Sequence, residues 1–221
     1  MSDICAALHH IFHDLPHHHF PYKTDRIPLN GIYILFEEGE MAHGVDRIVR
    51  IGTHTGDDKL PGRLKEHFIK ENKDRSIFRK NIGSAILNRA NDSFLELWEY
   101  DLMSRADRDK FGALVDKHKQ QQIEQQVTEM LQSRFRFVVF PMAGKENRKL
   151  LESRIIATVS RCSECGASPT WFGRFSPKVK IRESGLWQEM ELYKQPFSQA
   201  EFEIFSNDAK RFELTAKKLM T

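Results

Sequence analysis

A carboxylate in an apolar setting is the first group in this chain that asks for a chemical explanation. Glu152, Ile155, Ile156 and Val159 fall at i, i+3, i+4 and i+7, so a helix through them sets the carboxylate on or beside an apolar stripe. An unpaired charge there is costly, and the group must take a proton, pair with a base or bind a metal ion. A salt bridge to a neighbouring arginine or lysine is the plainest of these outcomes. Arg63 and His67 make a second pair of interest. Spaced i, i+4 beside Leu64 and Phe68, they share one helical face. A guanidinium offers a fixed fork of donors to phosphate oxygens, and an imidazole passes protons near neutral pH. Taken alone, such a pair is equally suited to a solvated helix.

These side chains need elements to hold them. Residues 3 to 15 carry Ile4, Leu8, Ile11, Phe12 and Leu15 at helical spacing, ended by Pro16. After Pro28 the run Gly31-Ile32-Tyr33-Ile34-Leu35-Phe36 reads as a strand, and Arg47 to Thr53 as a second. The stretch from Glu37 to Gly44 between them reads as a hairpin loop. Pro61 and Gly62 then open the helix that bears Arg63 and His67. A helix is expected near 80–89, a strand over Phe94 to Tyr100, and one or two solvated helices from Ser104 to Gln132, where strong helix formers include a Gln-rich run. Phe135 to Phe140 is a third strong strand, stopped by Pro141, and a helix from about Glu146 to Ser160 follows. The rest is irregular to about 195 and then helical, anchored by Phe202, Phe205 and Phe212.

With 221 residues, the chain has room for one full core or one compact domain with an elaboration. Its 40% hydrophobic and 29% charged residues point to a packed globule rather than a disordered chain. A formal charge of +3 is too small to argue for a nucleic-acid partner, so its distribution matters more. Residues 61–90 hold eight bases against three acids, residues 91–130 five against nine, and Trp171 to Arg182 four against none. Two basic patches around an acidic insert suit a polyanion groove with a solvated outer face, and equally suit ordinary surface patchiness. Trp171, Phe172, Arg174, Phe175, Lys178, Lys180, Arg182 and Trp187 interleave rings with bases, as a surface that stacks nucleic acid would. A small loop-rich core is the alternative reading of the same residues.

Other signals exclude more than they assign. Cys5, Cys162 and Cys165 are too few for a disulfide framework, and no charged segment leads into an apolar one at the amino terminus. A cytoplasmic location is expected. No run approaches the ~18 apolar residues of a membrane span, so no membrane role is expected. Cys162 and Cys165 form half of a zinc knuckle, and a four-thiolate site cannot be built from three thiols. His9, His10, His13, His17, His18 and His19 are read as solvated histidines rather than a metal site.

The order of elements adds to this reading. Gly31-Ile32-Tyr33 on one strand, Arg50-Ile51-Gly52 on the next, a helix bearing Arg63 and a later helix bearing Glu152 together resemble the GIY-YIG nuclease superfamily over roughly residues 29 to 160. The resemblance implies an α/β (α+β) fold with a small three-stranded antiparallel sheet flanked by helices, and metal-dependent endonuclease cleavage of DNA. It implies that Tyr33 helps to activate the attacking water, Arg63 stabilises the phosphate, His67 assists proton transfer, and Glu152 holds a divalent ion, Mg2+ or Mn2+. Such an ion keeps much of its hydration shell and polarises a phosphoryl oxygen. The expected layout is an N-terminal helix and linker over 1–28, the nuclease domain over 29–160 with a helical insertion at about 91–132, and a C-terminal extension over 161–221.

The second motif departs from the family pattern, because Arg50 stands where a tyrosine is usual. Arg50 is expected to bind phosphate electrostatically, and His54 to supply a proton-transfer group. Arg79, Lys80, Arg174, Lys178 and Arg182 complete the expected DNA-binding set. The asparagine often found after the metal-binding helix has no counterpart between Glu164 and Ala167. A catalytically impaired nucleic-acid-binding protein with the same fold is the alternative function. The chain is expected to act as a monomer or a homodimer.

Overall fold

The computed structural model describes residues 2–220, with side chains as far as residue 214. Residues 1 and 221, the outer limits of the expected N-terminal segment and C-terminal extension, lie outside the described residues.

An antiparallel sheet with flanking helices is the frame of the molecule. Its strands are β1 (His18–His19), β2 (Gly31–Ala42), β3 (Val45–Gly52) and β4 (Phe135–Pro141), in the order β1-β4-β2-β3. Four strands stand where three were expected. The additional one is only two residues long, and it forms because the linker after Pro16 pairs His18 with Phe137 and His19 with Arg136 on the open edge of β4. The strand β2 also runs on through Glu37 to Ala42 instead of opening into a loop. Glu37 and Glu40 are buried there because each finds partners. The Trp171 and Trp187 indoles both donate to Glu37 at 2.9 Å, and Arg47 donates to Glu40 at 2.6 and 2.8 Å.

Both faces of the sheet are covered, which explains the near-continuous apolar runs. Tyr33 and Leu35 face one layer, made by α2 (Leu60–Phe68), α3 (Ile77–Arg89), α4 (Phe94–Trp98) and α6 (Lys117–Arg134). Ile32, Ile34 and Phe36 face the other, made by α1 (Ser2–His13), α7 (Lys145–Ser160) and α9 (Gln199–Met220). The short helices α5 (Arg105–Phe111) and α8 (Val179–Ser184) complete the set. The segment expected as a strand is therefore the helix α4, and its buried Phe94 and Trp98 sit at i, i+4. Similarly, α6 buries Ile123, Val127 and Leu131 at successive turns, so the insertion packs on the core along one face.

Candidate active site

Tyr33 and Gly52 are cross-strand partners on β2 and β3. The missing side chain at Gly52 is what admits the phenol, for a Cβ there would meet the Tyr33 hydroxyl at 2.2 Å and its ring at 2.4 Å. Gly31, one strand end away, sits against the Phe140 carbonyl, which a Cβ would meet at 2.3 Å. The glycines of both motifs are thus places of close approach rather than turns. Gly52→Ala is expected to displace Tyr33 by about 1 Å and to cost about 1–3 kcal/mol of stability. Denaturant midpoints of the variant and the parent protein check this.

The helix α2 brings its two chemical side chains to that phenol. His67 Nε2 lies 2.7 Å from the Tyr33 hydroxyl, and Nδ1 lies 2.7 Å from Ser76 Oγ. Ser76 is also the N-cap of α3, accepting from the Arg79 backbone N–H. One cap therefore fixes both a helix start and an imidazole. His67 is fully buried, and burial, then Arg63, Arg50 and Arg79, push its pKa well below the ordinary histidine value. It stays neutral, held between the Tyr33 phenol and the Ser76 hydroxyl. Arg63 interacts electrostatically with Tyr33, and it donates to Glu66 at 3.1 Å and to the Arg75 carbonyl at 2.7 Å.

The Glu152 carboxylate arrives from the opposite layer. α7 packs against β3, the edge strand, and Glu152 lines a hollow of about 620 Å³ with Arg50, Asn81, Lys149, Lys180 and Glu191. Thr53 lines a second hollow of about 440 Å³ with His54, Lys59 and Arg63. Burial lifts the Glu152 pKa to about 7, against the opposing pull of Arg50, the Thr53 backbone and Arg63. The carboxylate is thus poorly solvated in the cleft. Both amide atoms of Asn81, in the same hollow, are buried and have no protein partner. An oxygen-rich set with unspent donors and acceptors fits a hydrated hard cation such as Mg2+ or Mn2+.

Tyr33, Arg63 and His67 therefore adjoin one another, while Glu152, from α7, lines the larger hollow and feels Arg63 electrostatically. Arg50 joins them, lining the hollow while its guanidinium stacks 5.0 Å over Phe78 and donates to the Trp187 carbonyl. His54 lines the neighbouring hollow, where its Nε2 accepts from the Gly31 N–H at 3.3 Å. Burial, then Arg148, lower its pKa, so it stays an uncharged prop for the first motif.

The expected DNA-binding cations fare differently. Arg79 is a correction: it is fully buried, bonded to Glu124 at 2.7 and 2.9 Å, to the His67 carbonyl at 3.0 Å and to Thr128 at 2.8 Å. Every donor is spent inside the protein, and none can reach a phosphate. Lys80 bonds the Glu99 carbonyl, Arg182 the Ser176 carbonyl, and Lys178 the Glu189 carboxylate. Arg174 is exposed but tied to the carbonyls of Ser168 and Ala167. Trp171, Phe172 and Trp187 are core residues, so packing accounts for these three rings, while Phe175 is exposed under Arg89. The cations that do line the cleft with Arg50 are Lys149 and Lys180. Lys149, three residues before Glu152 on α7, was findable from helical spacing; Asn81 and Thr53 reach the site through tertiary structure alone.

A family model described as GIY-YIG domain matches residues 10–213. Comparisons with curated proteins and with solved structures return no match for this chain.

Proposed function

From the premise that this chain belongs to the GIY-YIG family, whose members are endonucleases, we propose that it is a metal-dependent endonuclease hydrolysing DNA phosphodiester bonds. The observation that supports this reading is the Tyr33 phenol held by His67 and close to Arg63, with the buried Glu152 carboxylate within electrostatic reach of Arg63 and Arg50. The DNA substrate and three free thiols suit a cytoplasmic setting. Among the described residues no helix is long and apolar enough to cross a membrane.

The residues divide the work by chemistry. Glu152, with water and the phosphate itself, would hold a magnesium or manganese ion, which supplies Lewis-acid polarisation of the phosphoryl oxygen and neutralises leaving-group charge. Arg63 offers its planar donors to the phosphate under attack. Tyr33 orients the attacking water, and the neutral His67 imidazole, 2.7 Å from the phenol, fixes the direction of its hydroxyl. Ser76 holds the far side of that imidazole and fixes its direction. Arg50, Lys149 and Lys180 supply positive potential for the backbone of the strand.

Plasmid nicking with magnesium or manganese tests this. Tyr33→Phe and Arg63→Ala are expected to slow cleavage by roughly a hundredfold or more each. Variants that cut like the parent protein would sink the assignment. A second reading has one observation in its favour, the replacement of the second-motif tyrosine by a stacked Arg50. Absent nicking together with salt-sensitive DNA binding would turn the conclusion to a binding protein that keeps the fold.

A further inference from the structure

Away from the cleft, three distant segments deliver sulfur and imidazole to one point. Cys5 and His9 come from α1, His43 from the turn between β2 and β3, and Cys165 from the loop after α7. Their ligating atoms all lie within 4.8 Å of one another. Cys165 Sγ is 3.2 Å from Cys5 Sγ, 3.0 Å from His43 Nε2 and 4.0 Å from His9 Nε2. A tetrahedral zinc with ordinary bond lengths spaces such ligands at roughly 3.3–3.8 Å, within the span of these separations. The reading of the N-terminal histidines as solvated is therefore corrected for His9, which is fully buried; His43, outside that reading, has a side chain 5% exposed.

The rings are also aimed. His9 Nδ1 donates to the Cys5 carbonyl at 2.9 Å, which leaves Nε2 with its lone pair toward the sulfurs. His43 Nδ1 lies 3.6 Å from the Glu164 carboxylate, with Nε2 directed at Cys165. A backbone carbonyl or carboxylate behind each ring is the arrangement that orients metal-bound histidines. His43 reaches this position with φ 52, a backbone region that residues other than glycine rarely occupy. The sequence spacing hid the set, since Cys5 and Cys165 are 160 residues apart.

We infer that Cys5, His9, His43 and Cys165 bind a structural zinc ion that ties the N-terminal helix to the β2–β3 turn and to the loop following α7. Two thiolates and two imidazoles are the ligand chemistry zinc prefers over magnesium or manganese. The set has no open position for a substrate, and it lies outside the residues lining the cleft. Cys162, 3.6 Å from His43 Nε2, stands beside the set and not in it. The second cluster of donors, His13, His17 and Asp46, is a poorer site, because Arg136 already pairs with Asp46.

The test uses the full chain without an affinity tag, purified without chelator, and reads metal content by mass spectrometry. About one zinc per chain is expected, retained in Glu152→Gln, His13→Ala and Cys162→Ser proteins. Cys5→Ser and Cys165→Ser are expected to weaken zinc binding by about a hundredfold or more. Should these variants fail to fold, cobalt substitution of the parent protein decides, through tetrahedral ligand-field bands and a thiolate-to-cobalt charge-transfer band. A Cys5–Cys165 disulfide in the intact mass, reduced thiols that take up neither zinc nor cobalt, or zinc lost with Glu152, His13 or Cys162 would each overturn the site.

Discussion

Glu152→Gln is expected to lower magnesium-dependent nicking by roughly a thousandfold or more while leaving DNA binding largely intact. Glutamine keeps the shape of the side chain and removes the charge that would hold the ion. The same substitution has a pH signature. The folded carboxyl ionises only near 7 because of burial, above the ordinary carboxylate value, so the folded state keeps a proton that the unfolded chain has released. Stability of the metal-free protein is therefore greatest below the ordinary value and declines as pH rises through about 7. Glu152→Gln should abolish that decline and melt higher than the parent protein at pH above this window. Cleavage should run the other way, rising with pH as the carboxylate becomes available. Thermal melts and nicking rates across this range check both trends, and a glutamine protein that nicks at the parental rate excludes Glu152 as the ion's ligand.

Arg79→Ala is expected to destabilise the fold by about 3–5 kcal/mol, the usual cost of leaving one member of a buried ion pair alone. Arg79 and Glu124 are 0% and 2% exposed in their side chains, and alanine leaves the buried Glu124 carboxylate with the Lys73 backbone N–H but without its ion-pair partner. Pairing the change with Glu124→Leu should recover part of the loss, since the orphaned charge then goes too. Urea unfolding measures the effect. Whatever fraction stays folded should bind DNA as the parent does. Parental stability combined with weakened DNA binding would mean that this guanidinium faces solvent.

The site was legible where chemistry is carried by local pattern. Tyr33, Arg63, His67 and Glu152 each lie in a strongly patterned element, and the apolar stripe on α7 shows in the sequence that Glu152 is half-buried. Arg79 was misjudged because its partner is 45 residues away, and a run of bases does not reveal which of them turn inward. Lys73 belongs to the same basic run and is likewise buried, paired with Asp74 at 2.6 Å. Glu37 and Glu40 disguised the second half of β2 as a loop, since the tryptophans and arginine that satisfy them come from elsewhere in the chain. The two-residue strand β1 is too short for any periodicity to announce.

The strand order carries a consequence for synthesis. β2 lies between β3, which follows it at once, and β4, which begins at Phe135. On the ribosome the hairpin is made early, but its inner edge has no neighbour until nearly a hundred further residues have emerged. Tyr33, Arg63 and His67 all precede that moment, and Glu152 follows it. A prematurely ended product would thus carry an unpaired strand edge, prone to associate with its own kind.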